Sequence, residues 1–347
     1  VKELEWVETV EIEMTAQPIK QKPSQMKGLE RVRHIIAVGS GKGGVGKSMV
    51  ATNLAFSLSK TGAKVGLFDA DVYGPSLPTM VGFENISLKM EGAFIEPLDY
   101  EGVKLMSFGY ATESSGESGP AIMRGPMVSQ VIQQLLGSTD WGELDYLILD
   151  MPPGTGDIQL TIGQQVPVTA AVIVTTPQRI SFVDVVKGIQ MFDELKIPTI
   201  AVVENMAYFK CNDCSKKHQV FGKGALNSLS EEFGFTQSFQ LPMQYEVSYY
   251  SDNGQPLVLA EPDNEVTQLF AELSEAVVRE VSKLAYVSDV KVELTAPKKG
   301  VVEVKKGDET ALLSSAGLRL SCRCAYCVDE LSGKQRIEKS TIKADIH

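Results

Sequence analysis

Residues 35–48 read IIAVGSGKGGVGKS, and this stretch decides the fold. Its apolar beginning predicts a strand, the glycines a tight loop, and the apolar residues that follow at three- and four-residue spacing a helix. Such a loop fits the Gly-x4-Gly-Lys-Ser pattern, whose backbone N–H groups close round a triphosphate while the helix directs the positive end of its dipole towards it. We therefore predict a nucleotide site in which Lys47 contacts the β- and γ-phosphates and the Ser48 hydroxyl binds magnesium. The predicted binding residues of this loop are Gly41, Lys42, Gly43, Gly44, Val45, Gly46, Lys47 and Ser48.

The composition limits the other functions that the chain can have. Its 347 residues leave room for more than one domain, and its formal net charge is −11. A charge of this sign disfavours an electrostatic grip on nucleic acid or on anionic lipid. The most apolar run, residues 166–176, is too short to cross a bilayer. We predict neither nucleic acid nor membrane as a partner.

Further strand patterns alternate with helical patterns between residues 35 and 285. Short apolar runs occur at 65–68, 146–149, 171–174 and 199–203. This alternation is typical of a parallel sheet covered on both faces, so the predicted fold class is a doubly wound, mostly parallel α/β sheet. The helical pattern at 264–284 has one apolar face and a mainly acidic opposite face, and we interpret it as a core helix rather than a membrane helix.

Acidic residues follow two of these strands, at the edge where ligands of open α/β sheets bind. Asp150 has the position of the aspartate that holds magnesium through water, although a helix N-cap is an alternative for its side chain. Gly154 follows, in a loop placed to approach the γ-phosphate. Asp69 and Asp71 come directly after the run at 65–68.

The five cysteines lie in two clusters, a Cys-x2-Cys pair and a later triplet. Four interpretations of Cys211 and Cys214 are open: a thioredoxin-type pair, a zinc ribbon with His218, two chemically silent thiols, or half of a shared cluster site. In the last of these, a two-fold dimer would bring together the four thiolates that a 4Fe–4S cluster needs. No histidine lies beside a plausible serine nucleophile, which disfavours a Ser–His hydrolase.

A second lysine in the loop, Lys42, makes a family resemblance specific. The sequence KGGVGKS resembles the deviant Walker A loop of MinD, ParA, the nitrogenase iron protein and the Mrp-type iron–sulfur carriers. The resemblance implies that Lys42 reaches a phosphate across a dimer interface and that Asp71 orients the attacking water. It also implies that Asp69 supports the magnesium shell and that Asn205 binds adenine. Because no Asn-Lys-x-Asp guanine motif is present, we expect ATP as the nucleotide.

Within the Mrp-type carriers, the two terminal regions of the chain resemble those of the plastid high-chlorophyll-fluorescence type, and two segments mark the Mrp branch itself. They are MRGPM, residues 123–127, and ENMAYFKCNDC, residues 204–214. The resemblance implies an ATPase that binds a 4Fe–4S cluster at a homodimer interface through Cys211 and Cys214. The cluster would come from assembly scaffolds and pass to apo-proteins. We expect this in the plastid stroma or another organelle, with the cytoplasm as the alternative compartment. A zinc-stabilised MinD/ParA-like ATPase with a scaffold or positioning role is the alternative function.

Four regions follow from the patterns. Residues 1–22 resemble the end of a MIP18-like domain, 23–34 read as a polar linker, 35–285 as the ATPase and 286–347 as a small β-rich domain. The last region resembles the N-terminal part of γ-butyrobetaine hydroxylase, which implies zinc at the triplet. The histidine that completes such a site belongs to a motif that this sequence lacks, so we expect the domain to be truncated. The triplet is Cys322, Cys324 and Cys327.

Overall fold

A computed structural model of the chain describes residues 12–14, 26–83, 88–115, 125–211, 213–222, 224, 226, 233, 237–289, 292–298, 301–306 and 309–314. The chain divides into two compact units, one of residues 21–281 and one of residues 1–20 with 282–347. The cysteine triplet at 322–327 and the first two residues of MRGPM lie outside the described residues.

The unit of residues 21–281 is built on one sheet, whose strands run in the order β13-β10-β9-β2-β8-β3-β7-β6. Every neighbouring pair in it is parallel except β6 and β7. The strands are β2 Val32–Gly39, β3 Val65–Asp69, β6 Leu98–Tyr100, β7 Val103–Ser107, β8 Leu144–Asp150, β9 Ala170–Thr175, β10 Thr199–Glu204 and β13 Ser238–Gln240. Two hairpins lie outside this sheet, formed by β4 Met90–Glu91 with β5 Phe94–Ile95 and by β11 Phe209–Lys210 with β12 Lys217–His218.

Helices follow most of the strands, as the alternation in the sequence predicts. They are α1 Lys47–Lys60, α2 Leu77–Met80, α3 Phe108–Ser115, α4 Gly125–Ser138, α5 Asp157–Gln165, α6 Arg179–Glu194, α7 Tyr245–Asp252, α8 Leu257–Ala260 and α9 Glu265–Asp289. The central strand β9 is buried along its whole length, as a run of apolar residues in a parallel sheet with two covered faces must be. The doubly wound, mostly parallel α/β fold is confirmed.

The long helix α9 is a core helix, as its pattern predicts. Its apolar stripe is buried, with Val266, Phe270 and Val277 inaccessible to solvent. Among the described residues, no helix is both long and apolar enough to span a bilayer.

The polar stretch at 23–34 differs from the predicted linker. Lys27–Leu29 forms a 3₁₀ helix, and β2 begins at Val32, three residues before the predicted strand. Met26 and Leu29 are buried in the core of the unit. Gly28 permits this close packing, because a Cβ there would collide with the Thr139 carbonyl oxygen. Two apolar side chains in a polar stretch are too few to produce a periodic signal.

The second unit joins strands from both ends of the chain. Its sheet has the order β1-β14-β15-β16, and β1 pairs antiparallel with β14. The strands are β1 Ile12–Met14, β14 Val292–Lys298, β15 Val301–Lys306 and β16 Glu309–Ser314. The β patterns expected after residue 285 are therefore present, and the N-terminal strand finds its partner about 280 residues away. The origins assigned to the two terminal regions stay predictions.

Candidate functional site

The loop between β2 and α1, which we call the phosphate loop, has a backbone conformation that suits the binding of an anion. Gly44 and Gly46 adopt left-handed conformations with φ of 76° and 84°, which residues with a Cβ adopt at a cost. Gly46 is the N-cap of α1 and supplies no side chain to the free N–H groups of the first turn. Gly41 packs so closely on the backbone of Asp184 that a Cβ would collide with it. The N–H groups left at a helix N-terminus and the helix dipole both favour a phosphate here.

Lys47, the first residue of α1, lies in the buried centre of the site. Its Nζ atom contacts a carboxylate oxygen of Asp150 and lies 3.3 Å from the Ser48 hydroxyl. The side chains of Lys47 and Asp150 are only 7% and 3% exposed. The structure thus brings together the three side chains predicted for phosphate and magnesium. Removing either partner of this buried ion pair would leave the other charge buried and unpaired, which is strongly destabilising.

Asp69 lies beside this pair, and its carboxylate is an acceptor for the loop that follows it. One oxygen accepts hydrogen bonds from the backbone N–H groups of Ser76 and Leu77 at 3.0 and 3.1 Å and from the Ser107 hydroxyl at 3.2 Å. The other oxygen accepts the N–H of Asp71 at 3.0 Å. Asp69 therefore fixes the course of residues 71–77, a role that the sequence did not indicate.

Burial raises the pKa of Asp69 to about 7, with the negative charge of Asp150 adding to the effect. The charge of Lys47 and the hydrogen bonds from Leu77 and Asp71 act in the opposite direction. Two carboxylates and one lysine are thus buried together, which leaves an excess of negative charge when both carboxylates are ionised. A magnesium ion would relieve this excess of negative charge, so the residues present fit the Mg–nucleotide that the loop implies. Ser48 would supply the hydroxyl ligand and Asp150 the carboxylate.

Asp71 is half-buried at the start of the loop anchored by Asp69. Its Oδ1 atom accepts the N–H of Gly74 at 3.2 Å. Its neighbour Tyr73 is 55% exposed. The Asp71 side chain therefore lies at the solvent-accessible edge of the site, the position that a residue orienting water needs. This role of Asp71 stays a prediction.

The loop after Asp150 packs against the start of the phosphate loop. Gly154, with φ of 97°, donates its N–H to the Ser40 carbonyl at 3.0 Å. The buried side chain of Gln159 donates to the carbonyl oxygens of Pro152, at 3.3 Å, and Pro153. Sequence reasoning nominated Gly154 but missed Gln159, because a glutamine inside a helix carries no motif signal. Gln159 holds the loop that is expected to contact the γ-phosphate.

Lys42 belongs to the phosphate loop, and Asn205 contacts that loop from the end of β10. Lys42 is half-buried, and its carbonyl accepts the Ser40 hydroxyl at 2.9 Å. Asn205 is buried and donates from Nδ2 to the Val45 carbonyl at 2.9 Å, so its amide contacts the loop itself. Contact of Asn205 with adenine and of Lys42 with a phosphate across a dimer both stay predictions.

The Cys-x2-Cys pair lies at the tip of the β11–β12 hairpin. Cys211 is half-buried and Cys214 exposed, and both are free thiols. The turn is closed by hydrogen bonds from Cys211 N–H to the Lys216 carbonyl at 3.0 Å and from Ser215 N–H to the Cys211 carbonyl at 2.8 Å. Hydrogen bonds from the backbone of Cys214 and of Asp213, and then from the Cys214 side chain, lower the pKa of the Cys211 thiol. The two sulfurs are adjacent, and one is predisposed to the thiolate form that binds metals.

This hairpin is tied to the N-terminus of α9 by Glu265. The Glu265 carboxylate accepts hydrogen bonds from Tyr208 Oη at 3.1 Å and from Lys210 Nζ at 2.8 Å. The Lys217 ammonium lies 4.0 Å from the centre of the Tyr208 ring. Glu265 was not predicted, since it lies 54 residues after Cys211 and looks like an ordinary first-turn acid of a helix.

One subunit offers few metal ligands at the hairpin. Within the described part of the chain, no group of three or more His, Cys, Asp or Glu side chains is arranged to hold a metal ion. His218 lies on β12 opposite Phe209 in the register. The structure therefore brings together the two thiols of the pair and does not assemble a larger ligand set with them in the described residues.

The sheet, the phosphate loop with its additional lysine and Asp150 at a strand end define a P-loop NTPase with the MinD/ParA fold. Residues 31–278 match the family model described as ParA, NUBPL iron-transfer P-loop NTPase. The chain belongs to this family, and the resemblance inferred from the loop is confirmed.

Relatives with curated names support this assignment. The chain is 48% identical to "Fe-S cluster assembly factor HCF101, chloroplastic" of Arabidopsis thaliana over 99% of its own length and 64% of the relative's. It is 47% identical to the "Iron-sulfur cluster carrier protein" of Aquifex aeolicus over 72% of its length and 68% of the relative's. The chain thus spans less than two thirds of the length of the chloroplastic relative.

Solved structures agree on the fold. A nucleotide-binding protein from Archaeoglobus fulgidus in complex with ADP matches with a TM-score of 0.62 and 35% identity, covering 71% of this chain and 95% of that one. MinD of Pyrococcus horikoshii with Mg-ADP has a TM-score of 0.51 at 19% identity, covering 74% and 98%, a likeness that concerns the fold alone.

Proposed function

We propose that this protein is an ATP-dependent iron–sulfur cluster carrier. It holds a 4Fe–4S cluster between the Cys211–Cys214 pairs of two identical subunits and passes it to apo-proteins. The cluster is cargo, received from assembly scaffolds. The names of the relatives from Arabidopsis and Aquifex, an assembly factor and a carrier, support the class of cargo.

The observation that carries the proposal is the geometry of the cysteine pair. Two adjacent thiols, one half-buried and one exposed, lie on a short hairpin, with backbone N–H groups directed at the Cys211 sulfur. Hydrogen bonds to a sulfur stabilise its thiolate, which is the form that ligates iron. A cluster with four cysteine ligands needs twice what one subunit offers here, and a two-fold axis supplies the second pair.

The nucleotide site supplies the energy input in this proposal. Lys47 neutralises the β- and γ-phosphates, Asp150 and Ser48 hold magnesium, and Asp71 orients the attacking water. Lys42 reaches the phosphates of the partner subunit, so that hydrolysis requires the dimer. Hydrolysis and dimer geometry are then linked, and with them the exposure of a cluster on the axis.

The plastid stroma is the proposed compartment, supported by the word chloroplastic in the name of the Arabidopsis relative. The triplet Cys322, Cys324 and Cys327 is proposed to bind zinc independently of the cluster.

Metal analysis tests the cargo most simply, because the same two thiols also suit zinc. Protein reconstituted anaerobically with iron and sulfide should contain about four irons and four sulfides per dimer. The matched control replaces Cys322, Cys324 and Cys327 with alanine and should keep this iron. Zinc at about one ion per subunit and no acid-labile sulfide would support the alternative, a zinc-stabilised ATPase with a scaffold or positioning role.

A further inference from the structure

A seven-residue segment, Asn205–Cys211, connects the phosphate loop directly to the cysteine pair. We call it the connecting segment. It leaves the end of β10 at the nucleotide edge of the sheet and becomes β11 before it reaches the first cysteine. Side chains at both of its ends form hydrogen bonds with other parts of the protein, so the segment is held in a defined conformation.

Asn205 fixes the end of the segment that lies at the phosphate loop. Its Nδ2 atom donates to the Val45 carbonyl at 2.9 Å, and its own N–H donates to the Thr175 carbonyl at 2.8 Å. Its Oδ1 atom accepts the N–H of Met206 at 3.0 Å. The amide also packs so closely on Gly46 that a Cβ there would overlap with it. One buried side chain thus contacts both the phosphate loop and the next peptide of the segment.

Met206 is the point at which the segment can change course. It has φ of 57°, in the left-handed region that residues with a Cβ adopt only at a cost in free energy. In this conformation its N–H donates to the Oδ1 atom of Asn205 at 3.0 Å. A change in the position of the Asn205 amide therefore alters the contact that holds this strained turn.

The far end of the segment is fixed to the body of the protein. The Ala207 N–H donates to the Leu241 carbonyl at 2.9 Å, and the Tyr208 carbonyl accepts the N–H of Met243 at 2.7 Å. Glu265 then holds the side chains of Tyr208 and Lys210. Because these bonds join the segment to residues 241, 243 and 265, a displacement at Met206 is expected to move these neighbours and the cysteine turn together with the segment.

We propose that Asn205 is a positioning residue that couples nucleotide binding at the phosphate loop to the accessibility of Cys211 and Cys214. Phosphates bind through the N–H groups of the loop, and the Val45 carbonyl belongs to a peptide of that same loop. Reorientation of this peptide changes the acceptor of the Asn205 amide, and the segment transmits the change. This coupling rests on the proposed function, because the affected thiols are the proposed cluster ligands.

The test uses the full chain without a cluster, so that it reads the thiols themselves. Alkylation of Cys211 and Cys214 by iodoacetamide is followed by peptide-resolved mass spectrometry, with no nucleotide and with saturating Mg·ADP or a non-hydrolysable Mg·ATP analogue. Coupling free energies between sites commonly correspond to factors above 5. We expect nucleotide to change the alkylation rate of the pair at least ~5-fold in the native protein.

Asn205→Asp removes the donor to Val45 while keeping the acceptor for Met206. At nucleotide concentrations that a fluorescent analogue shows to be saturating, the change in alkylation rate should fall below ~2-fold. The matched control is Asn253→Asp, because the Asn253 amide also donates to a carbonyl, that of Tyr249 at 2.7 Å, at the exposed end of α7. This control should keep the native response.

Two results would overturn the inference. One is a native-sized response in nucleotide-saturated Asn205→Asp, and the other is a native protein whose thiol reactivity ignores saturating nucleotide. If Asn205→Asp does not fold, as judged by circular dichroism, Glu265→Gln tests the other end of the segment: it should also reduce the response, and an unchanged response would contradict the proposed path. A protein that binds no iron would refute the proposed function, whereas the alkylation rates would still test the coupling between nucleotide and thiols.

Discussion

Asp69 and Asp150 are register partners at the carboxyl ends of the neighbouring parallel strands β3 and β8. Both are buried, and Lys47 lies close enough to both to oppose their charges. The two carboxylates have different tasks: Asp150 binds the lysine, whereas Asp69 holds the backbone of residues 71–77. Several consequences of this shared charge can be measured.

Lys47→Ala should abolish ATP hydrolysis and lower the stability of the protein. It removes the charge proposed to contact the phosphates, and it leaves Asp150 buried without its cation. Breaking a buried ion pair from one side costs roughly 3 kcal/mol or more. Phosphate release from ATP and chemical denaturation measure the two effects. Lys42→Ala is the control, since Lys42 is half-buried and should change the unfolding free energy by less than about 1 kcal/mol. Equal destabilisation by both substitutions would contradict the different positions of the two lysines.

Asp71→Asn and Asp69→Asn should separate catalysis from loop structure. Asp71→Asn keeps the fold and nucleotide binding but stops turnover, because only the orientation of water is lost. Asp69→Asn replaces an acceptor oxygen with an NH₂ group that faces N–H donors, and an unsatisfied buried group costs about 1–3 kcal/mol. Calorimetric ATP binding, thermal melting and phosphate release distinguish them. A stable, active Asp69→Asn protein would refute the anchoring role.

The raised pKa of Asp69 gives a signed pH dependence in the nucleotide-free protein. Between the unfolded value of 3.8 and the folded value of about 7, the native carboxyl holds more proton than the unfolded one. The contribution of Asp69 to the free energy of unfolding therefore decreases as the pH rises through that window and is constant above it. Urea unfolding at pH 5, 6, 7 and 8 should show this loss in the native protein relative to Asp69→Asn. A difference between the two proteins that does not vary with pH would show that Asp69 titrates normally.

Lys42 can be tested for action across a dimer by mixing two inactive proteins. Lys42→Ala lacks the lysine but has Asp71, and Asp71→Asn lacks the carboxylate but has Lys42. If Lys42 serves the partner's site, a mixed dimer contains one complete site and should hydrolyse ATP. Phosphate release by the mixture is compared with that of each variant alone. Activity no greater than the sum of the two would place Lys42 in its own subunit's site.

The sequence was most informative where structure and chemistry are contiguous along the chain. The phosphate loop and the strands that end in Asp69 and Asp150 are local patterns, and these strands are found as predicted. The cysteine pair is also a local pattern, but the sequence did not predict the β11–β12 hairpin that carries it. The burial of Met26 and Leu29 was missed because it depends on a close approach of Gly28 to Thr139, more than a hundred residues away.

Long-range contacts explain the other differences. The carboxylate of Asp69 is committed to N–H groups whose position only the folded loop determines. Glu265 reaches Lys210 across 55 residues, and β1 pairs with β14 from the opposite end of the chain. No local period or motif encodes such contacts, so a single sequence indicates the site residues more readily than the groups that hold them in place.

The shared cluster is the central claim, and one measurement tests it directly. Cys214→Ala, reconstituted anaerobically, is analysed for iron and for molar mass by light scattering, beside the native protein and the Cys322, Cys324 and Cys327 alanine variant. We predict that Cys214→Ala loses its iron and that its dimer weakens in parallel, while ATP binding survives and the triple variant keeps about four irons per dimer. A Cys214→Ala protein that stays dimeric with its full complement of iron would contradict the claim.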